Sequence, residues 1–118
     1  MKRSIEDTPI VFLGAGNLAT NLAKALYRKG FRIVQVYSRT EESARTLADE
    51  VEAEYITDLK EVSKEARLYI ISLKDAAFVE LLPQITEGKQ HALLVHTAGS
   101  IPMNIWEGYA ERYGVFYP

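Results

Sequence analysis

The sequence predicts an α/β domain: a doubly wound, mostly parallel six-stranded sheet with helices on both faces. Three observations carry this reading. Short apolar runs alternate with amphipathic stretches along the chain. Several runs are apolar at every position, as strands covered on both faces are. Strand and helix signals alternate throughout, which implies parallel strands joined by right-handed crossovers.

The elements follow in order. Ile10-Val-Phe-Leu13 is the first strand, with Pro9 before it and Gly14 after it, both tolerated at strand ends. Asn17 to Lys29 is a helix whose apolar face is Leu18, Leu22, Ala25 and Leu26. Gly30 stops it behind the basic pair Arg28-Lys29. Ile33 to Tyr37 is the second strand. Glu41 to Val51 is the second helix, with Thr40 as its cap and two glutamates in its first turn. Ala53 to Ile56 is a short third strand, and Asp58 to Ala66 a short helix capped by Asp58. Leu68 to Leu73 is the fourth strand. Ala76 to Leu82 is helical, with Pro83 as the stop. Ala92 to Val95 is the fifth strand. Ile101 to Tyr113 reads as a helix capped by Ser100, and Val115 to Tyr117 as a sixth strand.

The bulk properties bound the function. The chain has 118 residues, 47% apolar and 25% charged, enough for one domain with a real core. Lys plus Arg is 14 against 16 for Asp plus Glu, a net charge of −2. That balance argues against a nucleic-acid binder. Cysteine is absent, and only His91 and His96 carry imidazole, so no metal site is expected. No apolar run approaches the roughly 20 residues that span a bilayer, and residues 1–8 are a polar lead without the apolar core of a secretion signal. A cytoplasmic domain with no membrane partner is the expectation. The sequence ends at Tyr117-Pro118, directly on an apolar strand, so residues 1–118 are expected to be the N-terminal domain of something longer.

The most informative motif is Gly14-Ala15-Gly16-Asn17-Leu18-Ala19, a G-x-G-x-x-A between a strand and a helix. Gly14 allows the tight turn, Gly16 lets a pyrophosphate approach the backbone, and Ala19 lets the helix pack closely. Free N–H groups at the helix start attract the diphosphate. The bland alternative is that these small residues only serve packing. The end of the second strand then selects the nucleotide. NAD enzymes place an acid about 20 residues beyond the loop for the ribose hydroxyls. Here the strand ends in Ser38-Arg39-Thr40. A guanidinium between two hydroxyls suits the dianionic 2′-phosphate of NADP. The alternative is a solvated arginine beside a helix cap, which could equally pair with a nearby glutamate as a weak surface bridge.

Ligands of open α/β sheets lie over the carboxyl ends of the strands. That edge should include Leu73 and Lys74 after strand four, and Thr97 and Ala98 after strand five. No catalytic residue is assigned. His96, Lys74 and Ser100 are weak candidates, His96 because imidazole exchanges protons near neutrality. A single histidine at a strand end is more often a hydrogen-bonded structural residue.

Val11 to Ala19, Val36 to Thr40, His96-Thr-Ala-Gly-Ser100 and Gly114-Val-Phe-Tyr-Pro118 together carry a resemblance. They resemble the Rossmann-like N-terminal domain of NADP-dependent oxidoreductases related to pyrroline-5-carboxylate reductase. More distantly, they resemble 6-phosphogluconate and 3-hydroxyisobutyrate dehydrogenases. The resemblance covers nearly the whole chain from Thr8. It implies NADP binding at Gly14, Gly16, Asn17, Leu18, Ser38, Arg39 and Thr40, with Leu73-Lys74 and Thr97-Ala98 beneath the cofactor. It also implies a helical C-terminal domain that forms a homodimer and closes a small-molecule substrate cleft. Better-known reductases carry Lys-Pro after strand four, where this chain has Lys74-Asp75.

The leading expectation is a cofactor-binding domain of an NADP(H)-dependent oxidoreductase acting on a small imine, keto or hydroxy compound, inactive by itself. The alternatives are a non-catalytic NADP-sensing module and an S-adenosylmethionine-dependent methyltransferase. The latter needs an acid where Arg39 stands.

Overall fold

The computed structural model describes residues 8–97 and 101–116. The strands are β1 (Pro9–Leu13), β2 (Arg32–Tyr37), β3 (Glu54–Ile56), β4 (Leu68–Ile71), β5 (Leu93–His96) and β6 (Arg112–Val115). They form one sheet in the order β3-β2-β1-β4-β5-β6, and every pairing is parallel. This is the strand order of a Rossmann domain, built outward in both directions from β1. Among the described residues no helix is long and apolar enough to cross a membrane.

Alternation along the strands builds two cores. Ile10, Phe12, Ile33, Val36 and Ile70 face one side, where α1 (Asn17–Arg28) and α2 (Glu41–Glu50) cover them with Ala19, Ala23, Leu47 and Ala48. Val11, Leu13, Tyr37, Tyr69, Ile71 and Leu94 face the other. There α3 (Asp75–Thr86) contributes Phe78, Leu82 and Ile85, and Trp106 completes the layer. Successive strand side chains point to opposite faces, so an unbroken apolar run fills both layers at once.

The face of α1 is rotated from the one expected. Ala19 and Ala23 are its buried residues, with Leu22 and Leu26 only partly covered and Ala25 exposed. Alanines on the packed face bring the helix axis close to the sheet, as the small third position of the glycine motif requires.

Four expected elements differ. The stretch 58–66 holds only a single 3-10 turn at Leu59–Glu61, which Asp58 caps by accepting from Lys60 N–H at 2.9 Å. The side chain of buried Gln35 interrupts further helix there. Its Oε1 accepts from Ser63 N–H at 2.7 Å, and its Nε2 donates to the Glu61 carbonyl at 3.2 Å and to Glu54 Oε1 at 2.7 Å. Helix α3 continues through Pro83, on its exposed side, because Leu82, Ile85 and Thr86 are all buried against the sheet.

The expected helix over 101–113 is instead a 3-10 turn (Met103–Trp106) followed by β6. Gly108 adopts φ +83°, outside helical space, and the backbone turns there into the sheet. The sixth strand accordingly lies upstream of its expected place. The Ser100 cap and Tyr117 lie outside the described residues.

Candidate functional site

The strand register brings the carboxyl ends into one row. Ile56, Tyr37, Leu13, Ile71, His96 and Val115 are successive partners across the sheet. The residue after five of the six strand ends then bonds back to the neighbouring strand. Ser38 N–H donates to Ile56 O at 3.2 Å, Gly14 to Tyr37 at 2.7 Å, Ser72 to Leu13 at 2.7 Å, Thr97 to Ile71 at 3.1 Å and Phe116 to His96 at 2.9 Å. Ser38, Gly14, Ser72 and Thr97 therefore form the rim from which the loops depart.

Gly14 is the tightest point of that rim. Its φ is +119°, and a Cβ there would stand 2.2 Å from the Ser72 carbonyl oxygen. Only glycine permits this approach of β1 to β4. Gly16 differs. It is exposed, its φ is −77°, and a Cβ would enter open space, with nothing within 4 Å. Gly16 occupies the N-cap of α1, which has no side-chain cap and no acid in its first turn. The amide groups at that helix start keep their hydrogens for an outside acceptor. A dinucleotide diphosphate fits this cradle: positive dipole end, no competing carboxylate, no side chain in the way. Asn17 is exposed, and Ala15 and Leu18 are half-buried beside it.

At the end of β2, Ser38 is half-buried while Arg39 and Thr40 are exposed. Thr40 stands at the N-cap of α2 but its side chain makes no cap bond. Instead Ser38 Oγ accepts from Thr40 N–H at 3.2 Å and fixes the turn. Arg39 makes no ion pair or hydrogen bond among the described residues. The acid nearest in sequence, Glu41, faces Arg45 at 3.7 Å, one helical turn on. Arg39 is thus an exposed arginine beside the cap of α2, not paired with that glutamate.

Between the start of α1 and the length of α2 lies a cavity of about 400 Å³. Thr20, Thr40, Ser43 and Thr46 line it with hydroxyls, Glu42 and Glu50 with carboxylates. Glu50 is held by Lys24 at 3.2 Å. Thr20, Ser43 and Thr46 are not among the site residues expected from the sequence; the fold brings them to this cavity. A second cavity, about 370 Å³, lies at the opposite edge of the sheet, beside Pro9, Arg32 and Glu54.

On the other side of β1, Leu73 is half-buried against the core and Lys74 is exposed at the N-cap of α3. Thr97 is half-buried, and its Oγ1 donates to Ser72 Oγ at 3.1 Å. Ala98 and Ser100 lie outside the described residues. His96 is fully buried and stacks on Phe78, ring centroids 5.0 Å apart. Trp106 donates to its Nδ1, which fixes the tautomer, so Nε2–H donates to the Ile101 carbonyl. With both nitrogens occupied, His96 is built into the core and has no atom free for a reacting molecule. That arrangement counts against His96 as the acid or base.

Known proteins share this architecture. The description NADP oxidoreductase, coenzyme F420-dependent, matches residues 9–99, from the start of β1 to beyond β5. A structure from Bacteroides fragilis, provisionally assigned as an NADP oxidoreductase, is 78% identical with a TM-score of 0.95, over 98% of this chain and 45% of that one. Prephenate dehydrogenase from A. aeolicus, in complex with hydroxyphenyl propionate and NAD+, is 20% identical with a TM-score of 0.74, over 92% of this chain and 41% of that one. At that identity the likeness is of fold. Glutamyl-tRNA reductase of Methanococcoides burtonii is 27% identical over 96 residues, which are 77% of this chain and 23% of that protein. The chain thus spans less than half the length of each of these proteins. The family match takes in the glycine cradle, the turn after β2 and the ends of β4 and β5, and by it the chain belongs to the coenzyme F420-dependent NADP oxidoreductases.

Proposed function

We propose that this domain binds NADP(H) in preference to NAD(H), and that the protein it belongs to passes hydride to or from a small imine, keto or hydroxy compound. The observation that carries the cofactor preference is the exposed guanidinium of Arg39 at the carboxyl end of β2, unpaired among the described residues and flanked by Ser38 and Thr40. The acids nearest in sequence, Glu41 and Glu42, belong to the first turn of α2 and not to the end of β2, where an NAD enzyme places its carboxylate. In this reading Gly14, Ala15, Gly16, Asn17 and Leu18 hold the diphosphate. Ser38, Arg39 and Thr40 hold the 2′-phosphate. Leu73, Lys74, Thr97 and Ala98 lie along the remainder of the cofactor.

Bound cofactor supplies the hydride chemistry, and the protein supplies orientation and exclusion of water. The engaged nitrogens of His96 favour a division of labour in which this domain binds and a further domain, also the dimer-forming part, brings substrate and acid–base groups. The Bacteroides fragilis structure has more than twice this chain's length, which supports the same division.

Thermal unfolding with NADPH, NADH and S-adenosylmethionine tests the reading. A ligand at a hundred times its Kd adds about 2.7 kcal/mol. A larger rise with NADPH than with NADH is expected. A rise with S-adenosylmethionine alone identifies a methyltransferase. NADPH binding without turnover of any imine, keto or hydroxy compound in the full-length protein identifies a sensing module.

A further inference from the structure

We infer that the cavity walled by Arg32, Glu54 and Glu65 is a binding site for a free α-amino acid, held by its two charges. It lies where β2 and β3 begin, at the edge of the sheet opposite the glycine cradle, and does not depend on the cofactor reading.

The cavity holds about 370 Å³, within the range of small-molecule sites. An irregularity in β2 shapes it. Ile10 is opposite Ile33 and Val11 is opposite Gln35, so Val34 has no partner on β1. One extra residue in a strand is a bulge, and a bulge re-aims side chains. Val34 and Gln35 are adjacent in the chain, yet both line the cavity; in a regular strand they would face opposite sides. Gln35 is buried, and its amide is fixed by Glu54 at 2.7 Å, the Glu61 carbonyl at 3.2 Å and the Ser63 N–H at 2.7 Å. The inner wall is therefore rigid. Val34 and Ala66 give it apolar surface.

The charges of this wall do not meet. Among the described residues Arg32 has no ion-pair partner, and neither has Glu65. Glu54 commits one carboxylate oxygen to Gln35 and keeps the other. A guanidinium and two carboxylates around one space, beyond ion-pair distance of each other, complement a molecule that carries both signs. Its carboxylate can take two parallel hydrogen bonds from Arg32. Its ammonium has three donors for Glu54 and Glu65. A plain anion would face the two glutamates, and a plain cation would face Arg32, so neither fits as well. The apolar surface of Val34 and Ala66 favours a short apolar side chain on the bound amino acid.

Saturation-transfer NMR titrations of the full-length protein test this with L-leucine as the probe. L-Leucinamide lacks the carboxylate, and N-acetyl-L-leucine lacks the ammonium. L-Leucine is expected to bind, and each derivative to bind about tenfold more weakly, the worth of a hydrogen bond between charged groups. Arg32→Gln and Glu65→Gln are each expected to weaken L-leucine by a similar factor. Both side chains are exposed, so both variants are expected to fold. Saturating NADPH, bound at the other edge of the sheet, leaves L-leucine binding unchanged. No binding of L-leucine, equal binding of the two derivatives, binding that survives both substitutions, or displacement by NADPH overturns the inference. A protein that binds L-leucine in this way but not NADPH overturns the cofactor reading alone.

Discussion

Trp106 donates its indole N–H to Nδ1 of His96 at 2.9 Å, inside a core where both residues are fully buried. The bond ties the 3-10 turn before β6 to the end of β5. Trp106→Phe keeps an aromatic ring against Phe78 but strands a histidine nitrogen and leaves a void. Unfolding stability is expected to fall by about 2–4 kcal/mol. Urea unfolding followed by far-ultraviolet circular dichroism measures it. A loss below about 0.5 kcal/mol shows the bond to be dispensable.

The two glycines of the cradle separate folding from binding. Gly14→Ala sets a Cβ 2.2 Å from the Ser72 carbonyl at a φ of +119°. It is expected to cost more than about 2 kcal/mol, from backbone strain and the parting of β1 and β4. Gly16→Ala meets nothing within 4 Å, so its stability cost is less than about 1 kcal/mol, that of a weaker helix cap. It weakens NADPH binding because the methyl occupies the ligand's space. Melting curves with and without NADPH check both variants.

Arg39→Ala removes the cation proposed for the 2′-phosphate. NADPH binding is expected to weaken by about 1.5–3 kcal/mol, the value of hydrogen bonds to a charged group, while NADH binding stays within error. Titrations of both cofactors decide the matter. Equal losses assign Arg39 to something common to the two, such as the adenine ring.

Tyr69 gives the alkaline limb of the stability profile. Burial pushes its phenol up to about 12 from an ordinary 10.0, against a smaller lowering by the backbone N–H of Ala66. The phenol donates to the Ser63 carbonyl. Because the folded form holds this proton more tightly, the contribution is full below pH 10 and is lost as pH rises through about 12. Tyr69→Phe is expected to lower stability at neutral pH and to reduce the fall between those pH values. Denaturation of both proteins at a series of alkaline pH values gives the difference curve.

The parts of the fold legible in the sequence are those set by local pattern. Apolar runs marked the strands, because a strand buried on both faces leaves no polar position. The Gly14–Ala19 loop was legible because each small residue answers to one steric demand. The misread parts depend on partners distant along the chain. Residues 58–66 have helical composition, but Gln35 takes the Ser63 amide that a helix would use. Ile101, Ile105 and Trp106 imitate a helical face, yet Trp106 is drawn to His96 and Gly108 turns the backbone into β6. Pro83 reads as a stop, but the burial of Ile85 and Thr86 carries α3 past it. At the site, the residue types at the ends of β1 and β2 were legible. The engagement of both His96 nitrogens was not, and neither was the hydroxyl pair of Ser72 and Thr97, which joins two separate strand ends.

Gln35 also sets how the passage from β3 to β4 is maintained. α1 and α2 span the passages from β1 to β2 and from β2 to β3; here one amide grips Glu54, Glu61 and Ser63 together. A hydrolysis of that amide to a carboxylate would exchange two donated hydrogens for a charge facing Glu54. Spontaneous ageing chemistry at a single nitrogen would thus loosen β3, the edge strand beside the Arg39 turn, together with the segment that leads from it into β4.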